Sequence, residues 1–221
     1  MRRVIAACLG LVVGVCGSTH AQSLNLEAAR RLVSGSSEAR SLGKIDLSGL
    51  EFAREVDLGQ GLRVIVVSGS RSGGVAAFRG DGSMLTTIPT GQLTWIQLFD
   101  LDEDGVSEVI VEEIEGRGTG VLLKSFVLYV AGGETFREAW RQPSYRRESP
   151  WNPTATAPSP VEIRNFLRFD RSGAGRRPRM TYLLGPQDGC AFRERVFELS
   201  NRTVHQLPVD LDQGSGSTAC R

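Results

Sequence analysis

Histidine is nearly absent from this 221-residue chain: only His20 and His205 occur. His20 lies in a segment expected to be removed, so no zinc site with two histidines can form within one mature chain. A Ser-His-Asp triad would have to use His205, and no nucleophile-elbow motif lies near it. Exposed or core-satisfied histidine is the plainer reading. Lysine is also scarce, with Lys44 and Lys124 alone among 26 basic residues. The arginine bias reads as compositional, and no nucleic-acid function is taken from it. Long apolar runs are missing as well. The longest, Val4 to Val15, is about 12 residues, against roughly 20 for a bilayer-spanning helix. No Cys-x-x-Cys pair is present, so a dithiol redox site is not expected. Gly116-Arg117-Gly118-Thr119-Gly120 lacks the lysine and Ser/Thr of a P-loop and reads as a strand-connecting loop.

What the N-terminus does contain is ordered. Arg2 and Arg3 precede the apolar run, and Thr19-His20-Ala21 places small residues at the minus-three and minus-one positions of a cleavage site. This is the order of a secretory signal peptide over residues 1–21. Val15 fits poorly before a lipidated Cys16. The expected mature chain, 22–221, is periplasmic or secreted and has no transmembrane segment. Its 24 basic and 25 acidic side chains nearly cancel, so no general attraction to nucleic acid or anionic membrane follows. The distribution is uneven: residues 22–136 carry a net −6 and residues 137–221 a net +5. Two cysteines, Cys190 and Cys220, remain. In an oxidising compartment they most simply pair. Such a loop would contribute roughly 3–4 kcal/mol in the chain-entropy model.

The hydrophobic period changes along the chain. Leu26, Ala29, Leu32 and Val33 recur at helical spacing between Asn25 and Gly35, which predicts one short N-terminal helix. Beyond it the pattern is β. Strands are expected at Leu62 to Ser68, Val75 to Arg79, Met84 to Ile88, Leu93 to Phe99 and Glu108 to Ile114. Val121 to Val130 and Phe136 to Arg141 flank Gly132-Gly133 as a hairpin. Residues 143–160 contain five prolines and read as a linker or long loop. Further strands are expected at Val161 to Phe169, Arg179 to Leu184 and Cys190 to Leu199. Three places show an apolar residue, Asp, a Gly-containing turn and then a strand; their aspartates are Asp57, Asp100 and Asp170. About three strand-turn-strand repeats suggest a partial propeller or a sandwich, since closed propellers need about four to eight blades. The division is 22–142 for the repeats, 143–160 for the proline-rich segment and 161–221 for a C-terminal β segment.

Asp100-Leu101-Asp102-Glu103-Asp104-Gly105-Val106-Ser107-Glu108 is the stretch with chemistry in it. Carboxylates at alternate positions of a tight loop converge, and Gly105 permits the bend. Left unpaired they repel, and a hard divalent cation removes that cost. The expected ligands are Asp100, Asp102, Asp104 and Glu108, with Val106 contributing its backbone carbonyl. An EF-hand would need Glu at position twelve, where Val111 stands, and flanking helices. The loop instead resembles the β-flanked calcium loops of the FG-GAP and VCBS (integrin-like) repeats, in which Asp-x-Asp-x-Asp-Gly-x-x-Asp/Glu precedes a strand. The strand is matched by Val109-Ile110-Val111, and the likeness extends over residues 55–141. It implies calcium-stabilised β structure of the kind found in adhesion proteins, extracellular binding proteins and accessory modules of exported enzymes, and it does not imply catalysis; the favoured expectation is a non-catalytic binding protein with an unknown protein or glycan as ligand.

Other candidates are weaker. Glu112, Glu113 and Glu115 could supply a carboxylate pair for a small exported hydrolase. Strand alternation puts Glu113 and Glu115 on one face and Glu112 on the other. Tyr145 and Trp151, beside Arg141, Arg146 and Arg147, form a candidate contact patch, with a plain linker as the simpler reading. A structural envelope component is a further possibility. Asn201-Arg202-Thr203 is a glycosylation sequon, relevant only in a secretory eukaryotic setting.

Overall fold

The structure, a computed structural model, describes residues 50–132, 135–149, 161–171, 177–185 and 193–208. The signal segment, the expected helix near residues 25–35, most of the proline-rich segment with Trp151, and both Cys190 and Cys220 lie outside them. The described residues form twelve strands and no helix: β1 Leu50–Gly59, β2 Leu62–Gly69, β3 Ser72–Arg79, β4 Met84–Phe99, β5 Glu108–Gly118, β6 Val121–Gly132, β7 Thr135–Glu148, β8 Val161–Arg164, β9 Phe166–Asp170, β10 Arg179–Leu184, β11 Arg193–Ser200 and β12 Thr203–Leu207. The protein is therefore mostly β, as its period-two patterning requires. β1 to β8 pair in sequence order as an antiparallel meander, and β9 to β12 form a second antiparallel sheet.

The long meander does not act as one flat layer. Residues Met84 to Gly91 of β4 pair with β3, whereas Gln92 to Phe99 pair with β5. Gly91 sits at the hand-over. A Cβ there would lie 1.9 Å from the Ile114 carbonyl oxygen, so only glycine lets the two backbones approach this closely. The Gly91 N–H donates to Glu113 Oε2 at 2.9 Å. β4 thus serves two groups of strands, β1–β4 and β4–β8.

Side-chain alternation explains how these groups pack. On β5, Val109 and Val111 enter one core, while Ile110 enters another. On β6, Val127, Tyr129 and Ala131 join the first core, and Phe126, Leu128 and Val130 the second. The first core is completed by Val56 and Leu58 of β1, Val64 and Val66 of β2, and Val75 and Ala77 of β3. The second is completed by Met180 and Tyr182 of β10 and Phe197 and Leu199 of β11, around Trp140 of β7. β5 and β6 are consequently buried on both faces. This is why EVIV and FVLYVA read as continuous apolar runs rather than alternating ones. Trp140 contacts Tyr182 and Phe197 edge-on, at centroid separations of 5.9 and 5.4 Å, within the favoured range for aromatic pairs.

Several expected boundaries shift. The separate strands at Met84 to Ile88 and Leu93 to Phe99 are one bent strand. Val161 to Phe169 is two strands, broken at Asn165, where the chain passes from the meander to the second sheet. β7 continues through Pro143 to Glu148, so the first part of the expected 143–160 linker is strand. Pro143 faces Ser125 across a register shift in the β6–β7 pairing, and such irregularities accommodate a residue that cannot donate to the ladder. Neither β1 nor β12 is among the expected strands; Val56 is the one β-branched residue of β1.

Candidate metal centre

The 100–107 loop joins β4 to β5, and Phe99 pairs directly with Glu108 across its base. Its two apolar residues hold it from both sides. Leu101 is buried in the second core and Val106 in the first. The loop therefore caps the ends of both cores. Gly105 (φ 83°) and Glu103 (φ 58°) take the left-handed conformation the turn needs. The β1–β2 turn braces the loop from outside: Ser107 N–H donates to Leu58 O at 2.7 Å, and Gln60 Nε2 donates to Asp104 O at 2.6 Å. A Cβ on Gly59 would lie 2.3 Å from Gly105 O, so that contact also requires glycine.

This frame brings one oxygen each of Asp100, Asp102 and Glu108 within 4.8 Å of one another. Asp100 Oδ1 and Asp102 Oδ1 are buried and accept no hydrogen bond. The other oxygen of Asp100, Oδ2, accepts from Gly105 N–H at 3.0 Å, and Glu108 Oε2 accepts from Leu101 N–H at 2.7 Å. Burial, reinforced by the neighbouring aspartates, pushes the Glu108 carboxyl up to about 8. Burial and the Asp104 charge also raise Asp102. Unpaired buried carboxylate oxygens carry a high desolvation cost, and a hard cation with oxygen ligands is the chemistry that removes it.

The two remaining expected ligand positions, Asp104 and Val106, have further contacts of their own. Asp104 is exposed and lies outside the three-residue cluster; its Oδ1 accepts from Val106 N–H at 2.8 Å, making it a turn-former. Val106 anchors the loop through its side chain, 5 % exposed in the first core. The other two repeat aspartates make contacts outside any acidic cluster. Asp57 Oδ1 accepts from Gly59 N–H at 2.8 Å, and Asp170 Oδ2 accepts from Arg168 at 3.1 Å.

The hydrolase candidates are occupied. Glu113 and Glu115 both pair with the Arg141 guanidinium, which Glu138 also holds at 2.6 Å. This joins the acidic first half of the chain to the basic second half. Glu112 points to the opposite face, as the alternation requires, and meets Lys124 at 3.0 Å. His205 is exposed on β12. In the expected contact patch, Arg164 stacks over the Tyr145 ring at 5.3 Å, and Arg146 pairs with Glu148.

No protein-family model, curated protein or solved structure matches the chain. Sequence reasoning found the acidic loop and the Gly-containing turn after Asp57, but not that Gly59 and Gln60 of this turn brace the loop, a long-range contact with no local signal. It also missed the surroundings of Glu112.

Proposed function

We propose that this chain is an exported, non-catalytic binding protein whose β assembly is tied by a structural calcium ion at the Asp100–Glu108 loop. The observation that carries this reading is the pair of buried, unpartnered oxygens on Asp100 and Asp102 beside the buried Glu108 carboxyl. Asp100, Asp102 and Glu108 would hold the ion, with remaining positions open to water or backbone oxygen. A bound divalent cation supplies positive charge that offsets the mutual repulsion of three carboxylates. The ends of β4 and β5, already paired at Phe99 and Glu108, would then be locked in register.

The loop pattern and the stacking of successive strand groups support an FG-GAP/VCBS-like partial propeller. β1–β4, β4–β8 and β9–β12 follow one another like blades, with one core between the first two groups and another between the last two. Commitment of Glu113 and Glu115 to Arg141 supports a non-catalytic role. Export rests on the N-terminal pattern of residues 1–21.

The test is the melting temperature of the mature protein in EDTA and in millimolar calcium. A ligand binding only the native state at a hundred times its dissociation constant adds roughly 2.7 kcal/mol. A calcium-dependent rise that disappears in Asp100→Asn/Asp102→Asn is expected. Superimposable curves in EDTA and calcium would reject the calcium assignment.

A further inference from the structure

A cleft of about 660 Å³ lies where the chain crosses from the meander to the second sheet, within the size range of small-ligand pockets, about 300–1,000 Å³. Its floor is built around Glu112 of β5. The Glu112 carboxylate accepts from Thr94 Oγ1, from Ser144 Oγ at 2.7 Å and from Lys124 Nζ at 3.0 Å. Its walls include Trp95 and Phe166, which are 37 % and 48 % exposed.

Two strand irregularities build this floor. In the β4–β5 pairing, Leu93 faces Glu113 and Trp95 faces Glu112, leaving Thr94 as the extra residue. In the β6–β7 pairing, Lys124 faces Tyr145 and Ser125 faces Pro143, leaving Ser144 as the extra residue. β-bulges re-aim side chains and are enriched beside functional sites. Here both inserted residues turn a hydroxyl onto the same carboxylate, from strands on opposite sides of β5. The first bulge also sets Trp95, whose ring rests edge-on against Phe126 at 6.1 Å.

Every charged residue lining the cleft is ion-paired, although the partner of Arg164, Glu162, lies outside the lining. Lys124 pairs with Glu112, and Arg164 pairs with Glu162 at 2.9 Å. An ionic ligand therefore meets no unmatched charge. Hydrogen-bonding capacity nevertheless remains. Lys124 uses two of its three N–H groups, on Glu112 and Thr94, and a carboxylate offers about four acceptor positions, of which three are used. An uncharged ligand with many hydroxyls and apolar ring faces matches this combination.

We propose that this cleft binds a neutral saccharide. A pyranose face packs on the Trp95 indole, with Phe166 as a second apolar wall. Its hydroxyls take up the remaining capacity of Lys124, Glu112 and Thr94. This inference rests on the reading of the chain as a binding protein, and on nothing at the acidic loop.

The experiment is a glycan array probed with the full mature chain, in calcium and in EDTA, beside Trp95→Ala, Trp95→Tyr and Glu112→Gln. Positive glycans are then titrated by calorimetry. Saturable binding to a neutral glycan is expected, weakened at least about tenfold by Trp95→Ala and largely restored by Trp95→Tyr, with melting temperatures near wild type for both. Glu112→Gln should weaken the same glycan. Binding to none of the neutral glycans, or equal binding by Trp95→Ala, overturns the proposal. So does a preference confined to charged glycans. Trp95-dependent binding that persists in EDTA upholds the cleft even if the calcium assignment fails. A calcium-dependent melt with a blank array removes the saccharide and leaves the calcium loop standing.

Discussion

Two glutamates four positions apart on β5 illustrate how far surroundings govern a carboxyl group. Glu108 is buried among aspartates and is pushed up to about 8 from an ordinary 4.5. Glu112 is also pushed up by its burial, but bonds from Thr94, Ser144 and Lys124, with the Lys124 charge, outweigh this and hold it below the ordinary value. The consequences for stability have opposite sign. As pH rises from about 4.5 to about 8, unfolded Glu108 loses its proton while the folded form retains it, so metal-free protein loses stability over that interval. Glu112 contributes stability above its ordinary value, and the contribution is lost as pH falls through its folded one. In EDTA at pH 7, Glu108→Gln should raise the melting temperature and Glu112→Gln should lower it, and both differences should shrink toward pH 4. Melts across pH 4–8 check this. Changes of the same sign at pH 7 would show that one of the two environments is misassigned. Neither environment is written locally, because both glutamates belong to the same apolar-flanked stretch, Glu108 to Glu115.

At the scale of elements, β4 is the informative strand. Its sequence holds two β-like runs separated by Pro89-Thr90-Gly91, which read locally as a break. The backbone instead continues and changes partner at Gly91, where it crosses within contact of Ile114 O. A glycine in a strand reports either a turn or a close approach, and only the neighbouring strand distinguishes them. Gly91→Ala should therefore cost about 1–3 kcal/mol or more, because the Cβ meets backbone rather than a movable side chain. Gly118→Ala, with no atom within 4 Å of its Cβ, is the control and should change stability little. Urea denaturation of the two variants reads the difference, and equal costs would reject the close approach. The same uncertainty explains Val161 to Phe169, where apolar spacing gave no sign that Asn165 ends one sheet and opens another. There the Asn165 side chain bonds Pro143 O and Tyr182 Oη, at 2.9 and 2.7 Å.

For the whole molecule, the shared strands β5 and β6 make the two cores dependent on each other. Val127 and Leu128 are adjacent, fully buried and on opposite faces. Leu128→Ala should cost about 2–5 kcal/mol, and Val127→Ala should also destabilise. Both should move one cooperative transition, with tryptophan fluorescence and far-ultraviolet dichroism coinciding. Two separated transitions, each sensitive to one variant, would show that the strand groups fold independently. The sequence by itself determined what depends on neighbours along the chain: β content through period two, the opposite facing of Glu112 and Glu113, and the acid-rich loop before Val109. The tertiary structure decided what depends on distant backbone. It bent β4 at Gly91 and extended β7 through Pro143. It drew Asp100, Asp102 and Glu108 together, and inserted Thr94 and Ser144 so that both reach Glu112. The physical reason is that alternation specifies which face a side chain takes, whereas register and bulges set what that face meets, and those arise only when strands pair.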